Sequence, residues 1–135
     1  MTAKQYLQQA FGLNKNINTA LSEISRLRAL AMSITGVSDG VVSSGISDHV
    51  GNLAVKIADA ETALNAEVDF YVDLQREIRE KIESMPDNNL RLVLRKRYVD
   101  FKKWEQIAVD MEASFQWAHK LHRRALREFE KMYFS

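Results

Sequence analysis

The sequence predicts an all-α protein, on three observations. Apolar residues recur at spacings of 3 and 4 through nearly every segment, which is the period of a helix face. One proline and five glycines in 135 residues leave few points at which a helix must break. The two places where turn-forming residues gather, 35–47 and 86–89, divide the pattern into two long helices and a C-terminal stretch, which the turns near Phe101 and before Ser114 split into three short ones. With 46% apolar residues the chain can bury a modest core.

Thr2 and Gln5 form a capping-box pattern, so the first helix is expected to start near residue 3. Its seam runs Ala3, Tyr6, Ala10, Leu13, Ile17, Ala20, Ile24, Leu27, Ala31 and Ile34, a 3,4 alternation sustained as in a coiled coil. Leu7, Phe11, Leu21 and Leu30 widen that stripe toward a second neighbour. Gly12 is a candidate for a close helix crossing, at a cost of about 1 kcal/mol relative to alanine. Residues 35–47, rich in glycine and serine and without helical period, read as a loop. Gly36 is placed to end the first helix, and Val41, Val42 and Ile46 are expected to tuck against the helix ends.

Ser47 or Asp48 can cap the second helix. Its seam runs Val50, Leu53, Ile57, Ala60, Leu64, Glu67, Tyr71, Leu74, Ile78 and Lys81. Glu67 and Lys81 interrupt it, and Val68, Ile82 and Met85 take over beside them. That drift predicts that the far end packs on something other than the first helix. Pairs such as Glu77–Lys81 and Arg76–Glu80 should lace the surface. Together the two long helices predict an antiparallel, coiled-coil-like hairpin over 1–85 that associates with another copy or docks on the C-terminal part.

Pro86 ends the second helix. Asp87, Asn88 and Asn89 offer caps for a third, with Leu90, Val93, Leu94 and Tyr98 inward and Arg91, Arg95 and Lys96 outward. Phe101 closes the following turn. Trp104, Ile107, Ala108 and Met111 mark a fourth helix, and Ser114 caps a fifth. The fifth divides cleanly. Ala118, Leu121, Ala125, Phe129 and Met132 lie on one side, and Gln116, Lys120, Arg123 and Arg127 on the other. An apolar stripe inward and a basic stripe outward is what a helix reading a major groove requires. The fold class is therefore a long helical hairpin followed, over 86–135, by a three-helix helix-turn-helix domain.

The net charge of +1 hides an asymmetry. Residues 1–85 hold 8 Lys/Arg and 11 Asp/Glu, a net of −3, and residues 86–135 hold 11 and 7, a net of +4. A basic C-terminal third suits a polyanionic partner. The absence of cysteine excludes disulfides and thiolate metal sites and fits a reducing compartment. No apolar run is long enough to span a membrane, and MTAKQYLQQA lacks the continuous apolar core of a signal peptide, so a cytoplasmic location is expected.

For DNA contact the sequence nominates Gln116, Lys120 and Arg123 toward bases, and His119, Arg124 and Arg127 toward phosphates. Lys102, Lys103 and Arg95 are expected at flanking phosphates. Phe115 and Trp117 flank the stripe and are expected to pack on a neighbouring helix. His119 and His122 stand at i, i+3, but without cysteine or a converging carboxylate they predict no metal site. The acids of the second helix alternate with its seam and read as a solvated face. With no nucleophile elbow, phosphate loop or dinucleotide fingerprint, neither an enzyme nor a cofactor is expected.

The last fifty residues resemble region 4 of bacterial sigma factors. The matching residues are Arg97–Tyr98, the E-x-I-A of Glu105 to Ala108, Met111, Ser114, and Arg123–Arg124–Ala125–Leu126. The whole chain is similar to short phage and prophage proteins of Gram-positive bacteria, and in layout to phage late-gene transcription regulators. That likeness lies in TAKQYLQQA, the R-L-R-A-L of 26–30 and the W-x-H-x-L-H-R-R-A-L of Trp117 to Leu126. The sequence departs from the sigma pattern at three points. Glu112 stands at the usual glycine of the turn and Ala118 at a usual valine or isoleucine. Lys103 stands where a Ser/Thr cap is usual, with Asp100 as the alternative cap.

The resemblance implies a DNA-binding transcription regulator in the host cytoplasm that reads duplex DNA with the 115–131 helix, self-associates (a dimer favoured) and needs no cofactor. Two rivals share the layout. One is a DNA-packaging adaptor resembling a small terminase subunit. The other is an RNA-polymerase-binding protein without direct DNA readout.

Overall fold

The computed structural model describes residues 1–36 and 44–134. They form five helices, α1 (Ala3–Gly36), α2 (Ser44–Glu83), α3 (Asn88–Tyr98), α4 (Trp104–Asp110) and α5 (Phe115–Tyr133), with no strand among the described residues. The protein is all-α, with two long helices followed by three shorter ones. The chain packs as two compact units, one made of Met1–Leu13 and Tyr71–Ser135, the other of Asn14–Phe70. The first therefore draws the start of α1 and the end of α2 into the same body as the three short helices.

In the first unit, α1 opens on its capping box. Thr2 N donates to Gln5 Oε1 at 2.8 Å and Gln5 N donates to Thr2 Oγ1 at 3.1 Å, so two otherwise orphaned helix-end donors are satisfied reciprocally. Ala3, Leu7 and Ala10 are completely buried, and Phe11 packs at the edge of the same core. From α2 come Leu74, Ile78 and Ile82, followed by Met85. The drift of the second seam toward Ile82 and Met85 is thus where α2 joins the core of the short helices. Leu90, Val93, Leu94 and Tyr98 of α3 are buried as their spacing predicts. Asp87 caps α3 by accepting from Leu90 N at 3.0 Å. Arg91, expected to face outward, instead donates to the carbonyls of Met85 and Pro86 at 2.5 and 3.2 Å, satisfying two acceptors of the turn between α2 and α3.

The two ends of the first unit are also tied by polar contacts. Tyr6 Oη donates to Glu77 Oε1 at 2.5 Å, and Tyr133 Oη donates to the Lys81 carbonyl at 2.7 Å. Burial, reinforced by the Glu77 carboxylate, pushes the Tyr6 phenol well above its ordinary range. The same hydrogen bond holds the Glu77 carboxyl below its usual value. Lys81 also meets Glu77 at 3.2 Å, as its spacing predicts, whereas Arg76 faces Asp73 at 3.8 Å rather than Glu80. Gly12 marks no close crossing: a methyl group added there would meet open space.

The second unit is thinner. Its seam positions, from Ile17 to Ile34 and from Val50 to Glu67, are each buried or half-buried. Among its described hydrophobic side chains, however, only Ile24, Leu53 and Leu64 are fully buried. Leu21 and Leu30, expected to widen the buried stripe, are 51% and 46% exposed, because nothing among the described residues of this unit covers that flank. An ion pair between Arg28 and Glu61 joins its two helical segments at the surface.

Both ends of the stretch 35–47, expected to be loop, are helical. α1 runs on to Gly36 and α2 starts at Ser44, ahead of the Ser47 and Asp48 caps. Gly45 in the first turn costs that extension only about 1 kcal/mol relative to alanine. The expected tucking of Val41, Val42 and Ile46 lies outside the described side chains.

Candidate nucleic-acid interface

The site begins at the turn between α4 and α5. Ala113 N donates to the Ala108 carbonyl at 2.9 Å and Glu112 N to the Val109 carbonyl at 3.1 Å. These are the two hydrogen bonds of a Schellman cap. The cap needs a left-handed residue at its centre, and Glu112 supplies it with φ 52°. The turn usually built on glycine is thus made here by glutamate, at a cost of about 1 kcal/mol. Ser114 then caps α5, accepting from Trp117 N at 3.0 Å. At the other end of α4, Lys103 occupies the cap position and no side chain supplies a capping bond. Asp100 does not substitute for it. The chain enters α4 through a left-handed Phe101 (φ 55°), whose ring packs on Phe11 at 5.1 Å.

α5 is held by its inner face. Ala118, Leu121, Ala125 and Phe129 are buried, and His122 joins them at 8% exposure. Met132, expected inward, is 43% exposed; Phe129 and Tyr133 are the side chains that hold this end of α5 against the core. The opposite face carries Gln116, Lys120, Arg123 and Arg127, with Arg124 at its edge, all exposed. The side chains of Gln116, Arg123, Arg124 and Arg127 have no hydrogen-bond or ion-pair partner among the described residues. Lys120 Nζ lies over the Trp117 ring at 5.5 Å. This face is a cationic surface whose charge is not spent internally.

Phe115 and Trp117 are 49% and 45% exposed, which overturns the expectation that they pack on a neighbouring helix. The buried stripe of α5 starts only at Ala118, so its first turn projects beyond the core. Phe115 rests on His119, ring centroids 4.5 Å apart, and His119 in turn lies 4.4 Å from Trp104. His119 is therefore half-buried between two rings rather than extended with the basic stripe.

The flanking cations are engaged elsewhere. Asp110 accepts from Lys102 at 2.7 Å, Gln106 at 2.7 Å and Lys96 at 3.3 Å. These donors, Lys102 foremost, pull the Asp110 carboxyl down to about 2, and Asp110 in turn raises the Lys102 ammonium. Arg95 pairs with Glu83 at 3.0 Å. Lys103 is exposed. Of the nine nominated residues, five thus share the outer face of α5, one lies between rings, two are ion-paired and one stands at the start of α4.

His122 shares a 2.7 Å hydrogen bond with Tyr98, inside the core. Burial first, then the positive charges of Lys4, His119, Arg97 and Arg123, lower its pKa to about 4, so it is neutral at pH 7. Burial pushes Tyr98 up to about 12, opposed by Arg97. Arg97 lies 4.8 Å from the centre of the Phe11 ring and 5.1 Å from that of Trp104, and donates to the Lys102 carbonyl at 2.9 Å. The roles of His122 and Arg97 escape sequence reasoning. The one signal for His122 is its 4-residue spacing from Ala118, on the inner face. Among the described residues no group of three His, Asp or Glu gathers to hold a metal ion.

The fold and this face define an all-helical chain whose last helix turns an uncompensated cationic surface outward. Residues 31–130 match the family described as "Protein of unknown function (DUF1492)", and the chain belongs to that family. Comparison with curated proteins and with solved structures gives no match. No helix among the described residues is long and apolar enough to cross a membrane.

Proposed function

We propose that this protein is a DNA-binding transcription regulator of phage or prophage origin that reads duplex DNA with α5. The observation that carries the reading is the outer face of α5. Gln116, Lys120, Arg123 and Arg127 share one exposed stripe, opposite a buried one that anchors the helix. A helix presented this way can enter a major groove, with Arg and Gln able to read base edges bidentately and the remaining cations neutralising phosphates. The short α4, with its tight turn, supports the helix-turn-helix reading, and the sigma-region-4 resemblance supports the role. Ion pairing of Lys102 and Arg95 narrows the expected contacts to α5 and Lys103. The thin second unit supports self-association, which would pair two such helices on one duplex and raise affinity through linkage.

The test is binding of the full chain to random-sequence duplex, followed by fluorescence anisotropy across a salt series. Affinity should fall steeply as salt rises. Arg124→Ala and Arg127→Ala, the α5 cations placed toward phosphate, should each reduce the slope of log K against log salt by about 1, with helix content unchanged. Undetectable binding at low salt, or an unchanged slope in both variants, overturns the reading.

A second reading has one observation in its favour. Val109, Phe115 and Trp117 are exposed around the α4–α5 turn at 71%, 49% and 45%. An apolar edge of this kind suits a protein surface such as RNA polymerase. On that reading Phe115→Ala and Trp117→Ala abolish polymerase capture while random-duplex affinity is absent from the start.

A further inference from the structure

A cleft of about 420 Å³ lies within the first unit, between the start of α1, the end of α3 and the facing sides of α4 and α5. Lys4, Gln8, Arg97 and His119 bring donors to it, Phe11 and Trp104 form apolar walls, and the Tyr98–His122 pair lies at its base. No carboxylate lines it. The formal charges lining it have one sign, those of Lys4 and Arg97, and both also disfavour a proton on His122. Several other cations of this unit do meet acids, Lys102 and Lys96 on Asp110, Arg95 on Glu83 and Lys81 on Glu77. Lys4 has none among the described residues, and the one hydrogen bond of Arg97 goes to a neutral carbonyl.

Concave, partly apolar sites with a few convergent polar groups are where small ligands bind. Two cations and two ring systems without a compensating acid select an oxyanion joined to a flat, apolar body. The volume exceeds what a bare phosphate would fill. We propose that this cleft binds a small phosphorylated ring compound of nucleoside monophosphate size, its phosphate held by Lys4 and Arg97 and its ring against Phe11 and Trp104. The site is separate from the outer face of α5 and does not depend on the DNA reading.

The experiment uses the full chain carrying Trp117→Phe, so that Trp104, which lines the cleft, is the remaining tryptophan. AMP is titrated against its fluorescence at low salt, with adenosine and inorganic phosphate as separate arms. AMP should give a saturable change, and each fragment alone should bind at least about tenfold more weakly. Lys4 is exposed and takes part in no described ion pair or hydrogen bond, so Lys4→Glu should leave the fold intact and weaken AMP by about tenfold or more. Arg97→Ala removes a packed side chain, so Arg97→Lys serves as the second variant. It keeps the charge, loses the planar fork, and should weaken AMP by a smaller factor than Lys4→Glu. Lys120→Ala with Arg123→Ala should leave AMP affinity unchanged. The proposal is overturned by absence of saturation, by an unchanged affinity in Lys4→Glu, by adenosine or phosphate binding as tightly as AMP, or by loss of AMP binding in the Lys120/Arg123 variant.

Discussion

The two compact units are built from the same kind of helix but solve different problems. In the first, side chains from five helical segments converge, and Tyr98, Phe129, Leu7, Ile78 and Ile107 are almost wholly withdrawn from solvent. In the second, two segments share a seam, yet among its described hydrophobic side chains only Ile24, Leu53 and Leu64 are buried, while Leu21, Leu30 and Val55 stay open. A seam of correct period guarantees a shared face but not a covered one. A third layer is what completes burial, and among the described residues the first unit alone has it.

The contrast can be broken first in its core. Phe129→Ala should cost about 3–5 kcal/mol in chemical denaturation, the range for emptying a close-packed aromatic site. Leu53→Ala should cost less than half as much, because in the thin unit fewer packing contacts are lost and solvent can enter the gap. Equal costs would mean that the second unit is as well packed as the first.

Acid sharpens the same comparison. His122 is depressed in the fold to about 4 from an ordinary 6.5. The unfolded chain therefore binds its proton more readily. The stability that neutral His122 supports is complete above pH 6.5 and is lost as pH falls toward 4. Allowing for partial solvent screening, the loss is about 2 kcal/mol. Asp110, held at about 2 by Lys102, loses its contribution in the same direction but only at lower pH. Denaturation midpoints at pH 7 and pH 4.5 should diverge in the parent and converge in His122→Gln. A variant that keeps the full acid sensitivity would assign it to another group.

Two glycine exchanges come next in size. Glycine stands at position 12, where the helix leaves open space, and glutamate stands at position 112, where the backbone is left-handed. Gly12→Ala and Glu112→Gly should each stabilise the first unit by about 0.5–1 kcal/mol in thermal unfolding. Destabilisation by the first would reveal a neighbour at Gly12; destabilisation by the second would give the Glu112 side chain a structural task.

The smallest effect on stability is expected at Leu30. Leu30→Glu should change unfolding free energy by no more than about 0.5 kcal/mol, as an exposed site does. If the open flank is where copies meet, the same variant lowers the mass measured by sedimentation. An unchanged mass moves any self-association to another face.

Much of this was legible in residue order. The capping box at Thr2 and Gln5, the Asp87 and Ser114 caps and the inward faces of α3 to α5 are set by local chemistry and helical period, which a linear sequence displays. Both seams are likewise visible, since every one of their described side chains is buried or half-buried. What period cannot display is the neighbour. Ile82 and Met85 announce a change of partner without naming α3 and α5 as that partner. The outer stripe of α5 was legible for the same reason as its inner one. The pairings of Lys102 with Asp110 and Arg95 with Glu83 were not, because they join residues on different turns or helices. His122 hid because it was weighed only in its i, i+3 pairing with His119, although its place among Ala118, Ala125 and Phe129 puts it inside.

The contact between Tyr6 and Glu77 spans 71 positions, and that between Tyr133 and Lys81 spans 52. Within the first unit the three short helices can meet early, since they are close in sequence. The α1 strand of the core must return across all of residues 14–70. Closing so large a loop has an entropic cost that grows only slowly with its length, by about 0.6 kcal/mol per doubling. Folding speed, more than final stability, should therefore carry the mark of this layout: an early trio of helices that waits for the other end of the chain to close over Phe129 and Tyr98.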